Sequence, residues 1–134
     1  MEITYDLNPK TTIPAERVLK LFEQAGISKP NWTADRLRKS ISGSTAVVYA
    51  LDGNELIGFG SAISDGAWIA YISQLAVKPD YQRQGIGKGL LEKMLTDLGS
   101  GVTVVVHSSE VASNFYTSTG FKPYSNVFVR VREN

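Results

Sequence analysis

Three glycines occupy alternating positions, Gly85, Gly87 and Gly89, where the sequence predicts the start of a helix. The first backbone N–H groups of a helix have no partner within it, and the helix dipole adds partial positive charge there. Glycines let a phosphate group approach those N–H groups without meeting a Cβ atom. With Arg83 and Lys88 supplying charge, the segment predicts a cradle for a pyrophosphate. A tight turn that binds nothing is the alternative.

The two best-known phosphate-binding loops do not fit this segment. A Walker loop requires Ser or Thr after Gly-Lys, whereas Gly89 follows Lys88, and the upstream glycine is missing. A Rossmann fingerprint requires a third glycine where Leu90 stands and an acidic residue at the end of the next strand, which here ends in His107. The sequence therefore disfavours both a nucleotide triphosphatase and a dinucleotide-binding fold.

The elements around the glycines predict how they are positioned. Three apolar runs, 45–51, 55–63 and 67–77, are separated by Asp-Gly-Asn and Ser-Asp-Gly turn signals, which predicts three sequential antiparallel strands. Gly89 lies past the first N–H groups, and we expect it to allow close packing of the following helix on the sheet. That helix has one apolar face at 3.6-residue spacing, formed by Ile86, Leu90, Leu91, Met94, Leu95 and Leu98.

The rest of the chain completes a mixed sheet. We predict a strand at 3–6, helices at 14–26 and after the N-cap Thr33, a buried strand at 102–107, a helix at 110–120 and an alternating final strand at 126–132. Because a helix links the third meander strand to strand 102–107, that step is a crossover. The prediction is one α+β domain over residues 1–134, with a mixed, mostly antiparallel sheet of about six or seven strands flanked by about four helices.

Composition narrows the class of protein. The 134 residues are 43% hydrophobic and 20% charged, which is typical of a soluble globular domain. The net charge of +1 gives no overall electrostatic argument for nucleic acid or a membrane as a partner. The absence of cysteine and the single histidine disfavour a metal site. The polar N-terminus is unlike a secretory signal and no run is long enough to span a membrane, so a cytoplasmic location is expected.

Several separate segments together resemble the GNAT N-acetyltransferase superfamily. Its core motif, Gln/Arg-x-x-Gly-x-Gly/Ala, is matched by Gln82-Arg83-Gln84-Gly85-Ile86-Gly87. The apolar lead-in is matched by Leu75-Ala76-Val77, Pro79 and Tyr81. The family's downstream A..FY...GF segment is matched by Ala112, Phe115, Tyr116, Gly120 and Phe121. The order of elements matches over nearly the whole chain, although the N-terminal third matches only in pattern.

The resemblance implies that the ligand of the cradle is coenzyme A, with acetyl-CoA as the acyl-donor co-substrate and no metal. In this family the fourth strand bulges at its end, and its freed backbone, here that of Leu75 and Val77, pairs with the pantetheine. The alternative is that these two residues serve only the core. The implied cofactor-binding residues are Leu75, Ala76, Val77, Gln82, Arg83, Gln84, Gly85, Ile86, Gly87, Lys88 and Asn114.

The resemblance also implies a reaction, direct transfer of acetyl from the CoA thioester to a primary amine. Attack requires a neutral amine, and the departing thiolate benefits from a proton donor. Tyr116 matches the family tyrosine with that role; the alternative is a buried tyrosine that only packs on the core. Ser109 stands where a cofactor-binding Asn often lies, or is simply a helix N-cap, and Asn114 either contacts the pantetheine or is a surface residue. The proton acceptor stays open among His107, Glu110 and water.

The acceptor is expected to be a small-molecule or peptide amine. We expect its specificity to depend on the connection 28–36 and on four aromatic residues of the meander, Tyr49, Phe59, Trp68 and Tyr71. Trp32 is either a pocket wall or an anchor of its loop on the core. Two other function classes fit the same sequence. One is a CoA-binding sensor without catalysis, and the other is an interaction domain whose final strand pairs with a second copy in a homodimer.

Overall fold

The structure, a computed structural model, describes residues 2–9, 13–109 and 112–133. Over these residues the chain forms five strands, four α-helices and one 3₁₀ turn. The strands are β1 Ile3–Leu7, β2 Ala46–Asp52, β3 Glu55–Ser64, β4 Ile69–Val77 and β5 Thr103–Val106. The α-helices are α1 Ala15–Gln24, α2 Ala34–Ser42, α3 Ile86–Leu98 and α4 Ser113–Ser118, and the 3₁₀ turn is Pro79–Tyr81.

The strands form one sheet in the order β1-β2-β3-β4-β5. The first four strands pair antiparallel, and β5 pairs parallel to β4 after the α3 crossover. This confirms the α+β class and the mixed, mostly antiparallel sheet. The turn from β3 to β4 is organised by Asp65, whose Oδ1 accepts the N–H groups of Ala67, Trp68 and Ile69 at 2.8, 2.8 and 3.1 Å. Those bonds, led by that of Ala67, hold the pKa of Asp65 below its usual value.

A helical layer covers each face of the sheet. On one face α1 and α2 pack Val18, Leu21, Phe22 and Leu37 against the strands, and on the other face α3 packs Leu90, Leu91 and Met94. These residues are between 0 and 7% exposed, so the periodic apolar stripes predicted from the sequence form the core. No helix of the described residues is long and apolar enough to cross a lipid bilayer.

Glycines allow α3 to lie close to the sheet. A Cβ atom built at Gly89 would lie 2.4 Å from the Tyr5 hydroxyl oxygen, and one at Gly60 would lie 2.8 Å from Cε of Met94. A side chain at Gly89 would therefore push the helix away from β1, or displace the Tyr5 ring. This confirms the packing role predicted for Gly89, which differs from the roles of the two glycines before it.

The predicted final strand at 126–132 is wrong, and with it the count of six or seven strands. Residues 121–133 carry neither helix nor strand, so β5 is an edge of the described sheet. Val127, Phe128, Val129 and Val131 are 56, 93, 61 and 79% exposed. Alternating apolar and polar residues show that a segment is able to form a strand. Pairing also requires a strand edge in the correct register, which the sequence of the segment itself does not encode. The helix before this segment, predicted at 110–120, was also predicted too long at its end, since α4 is Ser113–Ser118 and residues 119 and 120 form a turn. Residues 110 and 111 of that prediction lie outside the described residues.

Candidate functional site

β4 continues past its last pair with β5, so its edge from Ser73 to Val77 is unpaired on that side, and we call this open edge the gap. The parallel pairing runs from Ile69 opposite Thr103 to Ile72 opposite Val106 and ends there. On the other side of β4 the register with β3 skips Ser73. The Ser73 hydroxyl contacts the buried Ser61 hydroxyl at 2.8 Å and donates to the Ser61 carbonyl at 3.2 Å, which fixes the bulge. Because a bulge bends its strand, β4 leaves β5 at this point and continues paired with β3 alone.

The backbone of Leu75 and Val77 faces this gap. The Lys78 N–H donates to the Ile57 carbonyl of β3 at 2.8 Å, and backbone groups of successive strand residues alternate in direction, so those of Val77 and Leu75 point away from β3. Their side chains meanwhile pack against the α3 core, and Ala76 is buried on the opposite face. The two residues thus serve the core with their side chains, while the backbone of Leu75 and the N–H of Val77 face the gap; the Val77 carbonyl accepts a hydrogen bond from Gln82 at 3.0 Å.

The loop before α3 presents a backbone concavity. Arg83 and Gly85 both have left-handed backbone conformations, with φ of 64° and 81°, and Gly85 caps the N-terminus of α3. Left-handed residues set between right-handed or extended ones turn successive N–H groups toward one side, which is the geometry of an anion-binding nest. The side chains of Gln82, Arg83, Gln84 and Lys88 are exposed, whereas Ile86 is buried and offers only its backbone.

Side-chain hydrogen bonds hold this loop against the sheet. Gln82 donates from Nε2 to the Val77 carbonyl at 3.0 Å, and Gln84 donates from Nε2 to the Asp80 carbonyl at 3.3 Å. The Tyr81 hydroxyl donates to Oδ2 of Asp52 at 2.7 Å. The residues that the motif places at the cofactor therefore also shape the loop, and Gln82 links the nest to the open end of β4.

The Tyr81 hydrogen bond predicts a pH-dependent stability. The bond to the Asp52 carboxylate is the main cause that raises the pKa of Tyr81 from 10.0 to about 12. A raised pKa stabilises the folded state below pH 10, and this contribution is lost as the pH rises toward 12. Tyr81→Phe should therefore lower the free energy of unfolding at pH 8 and cost progressively less between pH 10 and 12. Urea titrations at pH 8 and 11.5 measure this, and an equal cost at both values would contradict it.

Tyr116 on α4 lies at the inner wall of the gap. Its side chain is 8% exposed and packs edge-on against Phe115 and Phe121, with ring centroids at 5.0 and 5.6 Å. It belongs to the cluster against which Leu75 and Val77 pack. Burial, aided by the nearby Tyr71, raises the pKa of Tyr116, so the hydroxyl stays protonated at neutral pH. Packing and proton donation are compatible in Tyr116, because the ring makes the packing contacts and the hydroxyl would donate the proton.

Gly87 brings the nest and Tyr116 together. A Cβ built at Gly87 would lie 3.6 Å from the Phe115 ring and 3.8 Å from Cγ2 of Val77, which is ordinary contact. The start of α3, the end of β4 and α4 therefore meet at one point, with Phe115 beside Tyr116. Asn114 is exposed in the first turn of α4. Ser109 accepts the Ala112 N–H at 3.3 Å and so caps the turn before α4, whose own N-cap residue is Ala112.

A groove of about 1030 Å³ runs from Tyr116 along the edge of β5. Its walls are β5, α4, Tyr71 of β4 and the segment 119–130. Of the two residues considered as proton acceptors, His107 is exposed and lines this groove, while Glu110 lies outside the described residues. The sequence did not reveal the groove wall formed by 119–130, because residues 119–120 were assigned to a helix and 126–130 to a strand.

Two of the residues expected to shape the acceptor site are part of the core. Tyr49 and Phe59 are 1 and 0% exposed, with ring centroids 5.6 Å apart beneath α1, so that expectation is wrong for both. The alternation of side chains along a strand places both residues on the face of the sheet that α1 covers. Whether that face is accessible depends on how the helix packs over it, which the strand sequence does not indicate.

The other expected acceptor residues are accessible to different degrees. Tyr71 is 41% exposed and lines the groove, whereas Trp68 is 80% exposed beside the β3 to β4 turn. Trp32 is half-buried and packs edge-on against Phe22, with centroids at 5.7 Å. This contact favours the anchoring role for Trp32, and Tyr71 is the residue of this group that lies beside Tyr116.

Comparisons with known proteins agree on one family. The family model described as an acetyltransferase (GNAT) domain matches residues 18–131. A GNAT-family acetyltransferase structure from Streptococcus pneumoniae is 28% identical, with a TM-score of 0.77 over 99% of this chain and 98% of its own. A structure from meticillin-resistant Staphylococcus aureus, described as a probable acetyltransferase of unknown function, is 25% identical, with a TM-score of 0.80 over 97% and 98% of the two chains.

The relatives found by sequence are longer proteins. A histone acetyltransferase from Glycine max is 40% identical over 79 residues, which cover 53% of this chain and 33% of that protein. The chain thus spans about a third of this relative, and the similarity concerns a domain rather than a whole protein.

Proposed function

Since this chain belongs to the acetyltransferase (GNAT) domain family, we propose that it moves an acetyl group directly from acetyl-CoA to a primary amine. The observation that carries the proposal is the meeting of three features at one point: the nest before α3, the open backbone at the end of β4, and the hydroxyl of the largely buried Tyr116. The nest and the open backbone would bind acetyl-CoA, and the hydroxyl would donate a proton to its sulfur, so the reaction needs all three features close together.

The residues present fit acetyl-CoA. A pyrophosphate needs several N–H donors and positive charge, and the start of α3 offers both, with Arg83 and Lys88 exposed beside it. An extended pantetheine carries amide groups that pair with a strand edge, and Leu75 and Val77 present such an edge at the gap. The thioester end would then reach the inner wall, where Tyr116 lies.

The chain's own groups account for the proton movements. The amine nitrogen attacks the acetyl carbonyl carbon, the new C–N bond forms, and the C–S bond breaks with its electron pair on sulfur. Tyr116 gives its hydroxyl proton to that sulfur, and its raised pKa keeps it in the protonated form beforehand. The proton lost by the amine goes to His107, which lines the same groove, or to water. The proton lost by the amine then returns to the tyrosinate of Tyr116, directly from its acceptor or through water, so the net products are the amide and the free thiol of CoA.

The competing proposal, a CoA-binding sensor without catalysis, uses the same nest and the same gap. Isothermal titration with acetyl-CoA, combined with a thiol-release assay over a panel of amines, separates the two. We expect saturable binding and turnover with at least one amine. Saturable binding without any turnover would support the sensor, and no binding at all would remove both proposals.

We also propose a homodimer and a cytoplasmic location. For the dimer, the argument is that β5 is an edge of the described sheet and that the exposed residues 127–130 line the same groove as β5. Edges of this kind pair with other chains unless they are covered. Sedimentation equilibrium measures the molecular mass in solution, and we expect the mass of a dimer at stock concentration. The mass of a monomer both at stock concentration and after 100-fold dilution would contradict the dimer.

A further inference from the structure

The groove beside Tyr116 carries charge of one sign. Lys122 and Arg130 line it, and none of its described lining residues is Asp or Glu. The whole chain is nearly balanced, with 14 Lys and Arg against 13 Asp and Glu, so the imbalance is local. A ligand that carries an anionic group is therefore favoured over one that carries extra positive charge.

The two permanent cations are available for a ligand. Lys122 and Arg130 are both exposed, and neither forms an ion pair with a carboxylate of the described residues. Arg130 presents a guanidinium whose fork matches a carboxylate or phosphate group with two hydrogen bonds. Between these cations and Tyr116 the walls are largely apolar or aromatic, with Tyr71, Phe121 and Phe128 among them.

We infer that the acceptor is a small primary amine that bears a carboxylate or phosphate group at the end remote from the amine, held by Arg130 and Lys122. This inference rests on the proposed acetyltransferase function and names its substrate class. The amine would lie at Tyr116, the apolar body against the aromatic walls, and the anionic group at the cations. Polyamines and aminoglycosides are disfavoured, because their additional ammonium groups would lie beside Lys122 and Arg130 with no described carboxylate to offset the repulsion.

A matched pair of acceptors tests the inference. Phenethylamine and 4-(2-aminoethyl)benzoate differ by one carboxylate, and 4-(2-aminoethyl)phenyl phosphate tests the phosphate arm. We expect the wild-type protein to favour an anionic amine over phenethylamine in kcat/KM by about tenfold, since each exposed pair contributes about threefold. Spermidine should be a poorer acceptor than phenethylamine.

Variants assign the effect to the groove. Arg130→Gln and Lys122→Gln should each raise KM for the preferred anionic amine by about threefold, with the kinetics of phenethylamine unchanged. Arg132→Gln is the control, because Arg132 lies two residues after Arg130 but does not line the groove. Titration of the anionic amine into CoA-saturated protein should show the same order of affinities. Acetyl-CoA titration and circular dichroism check that the variants fold.

The outcomes separate this inference from the proposed function. Turnover of phenethylamine that equals or exceeds that of both anionic amines would overturn the inference and leave the acetyltransferase standing. Equal losses in Arg130→Gln and Arg132→Gln would also overturn it. If no amine is turned over, the acetyltransferase fails, and the binding titration decides the inference by itself: tighter binding of the anionic amine, weakened by Arg130→Gln, upholds an anion site.

Discussion

Replacing Tyr116 by phenylalanine should lower kcat by about 100-fold or more while leaving acetyl-CoA affinity within about twofold. The substitution removes the hydroxyl and keeps the ring that packs between Phe115 and Phe121. The thiolate must then leave without a proton from the protein, so the barrier rises in the transfer step rather than in binding. Initial rates at saturating acetyl-CoA measure kcat, and calorimetric titration measures the affinity.

Tyr124→Phe is the matched control, because Tyr124 lines the same groove but is 72% exposed on the segment after α4. It should retain nearly full activity. The pH profile adds a second readout. Since burial raises the pKa of Tyr116, the decline caused by its ionisation should lie above pH 10 and be absent from assays between pH 7 and 9. Full activity of Tyr116→Phe would remove this residue as the proton donor and favour its packing role.

The features that the sequence predicted well are those that depend on local chemistry. The hairpin turns and the apolar stripe of α3 each follow from residues close together in the chain. The left-handed conformation of Gly85 was not predicted, although glycine is the residue type that adopts it most readily. Arg83 shows the limit of such reasoning. It has φ of 64° although it is not glycine, and no feature of its own side chain indicates this. The nest depends on both residues, so only half of its geometry was readable from residue types.

The features that the sequence did not predict depend on pairing and coverage at long range. The resemblance to the family implied a bulge in the fourth strand, and β4 has one, but its position at Ser73 is fixed by contact with Ser61, twelve residues away on a neighbouring strand. A Ser-Gln pair in an apolar run is only a weak local signal for that position. Segment 126–132 has the alternating apolar and polar residues of a strand, but it forms no strand, and its residues 127–130 line the same groove as β5. As a result, Arg130 lines the groove. The strand prediction had placed this residue within the sheet.

Gly85→Asp and Gly87→Asp should each reduce acetyl-CoA affinity by about 100-fold or more without unfolding the protein. A carboxylate at the start of α3 would accept the N–H groups that a pyrophosphate needs and would repel its charge, a combination that costs several kcal/mol. The fold should survive in both variants for different reasons. Asp is a favoured N-cap residue and tolerates the left-handed conformation at Gly85, and a Cβ at Gly87 meets only ordinary contacts.

Asparagine variants at the same positions isolate the charge. Gly85→Asn and Gly87→Asn add a side chain of nearly equal size, so they share the steric and conformational cost of the Asp variants but lack the repulsion. We expect their affinities to lie between those of the wild type and the Asp variants, with an Asn to Asp difference of about tenfold or more that shrinks as salt is raised. Titration calorimetry at 50 and 500 mM salt measures both effects, with urea unfolding as the check on stability. If either Asp variant binds acetyl-CoA as tightly as the wild type, the backbone at the start of α3 is not where the pyrophosphate lies, and the glycines there serve only the turn.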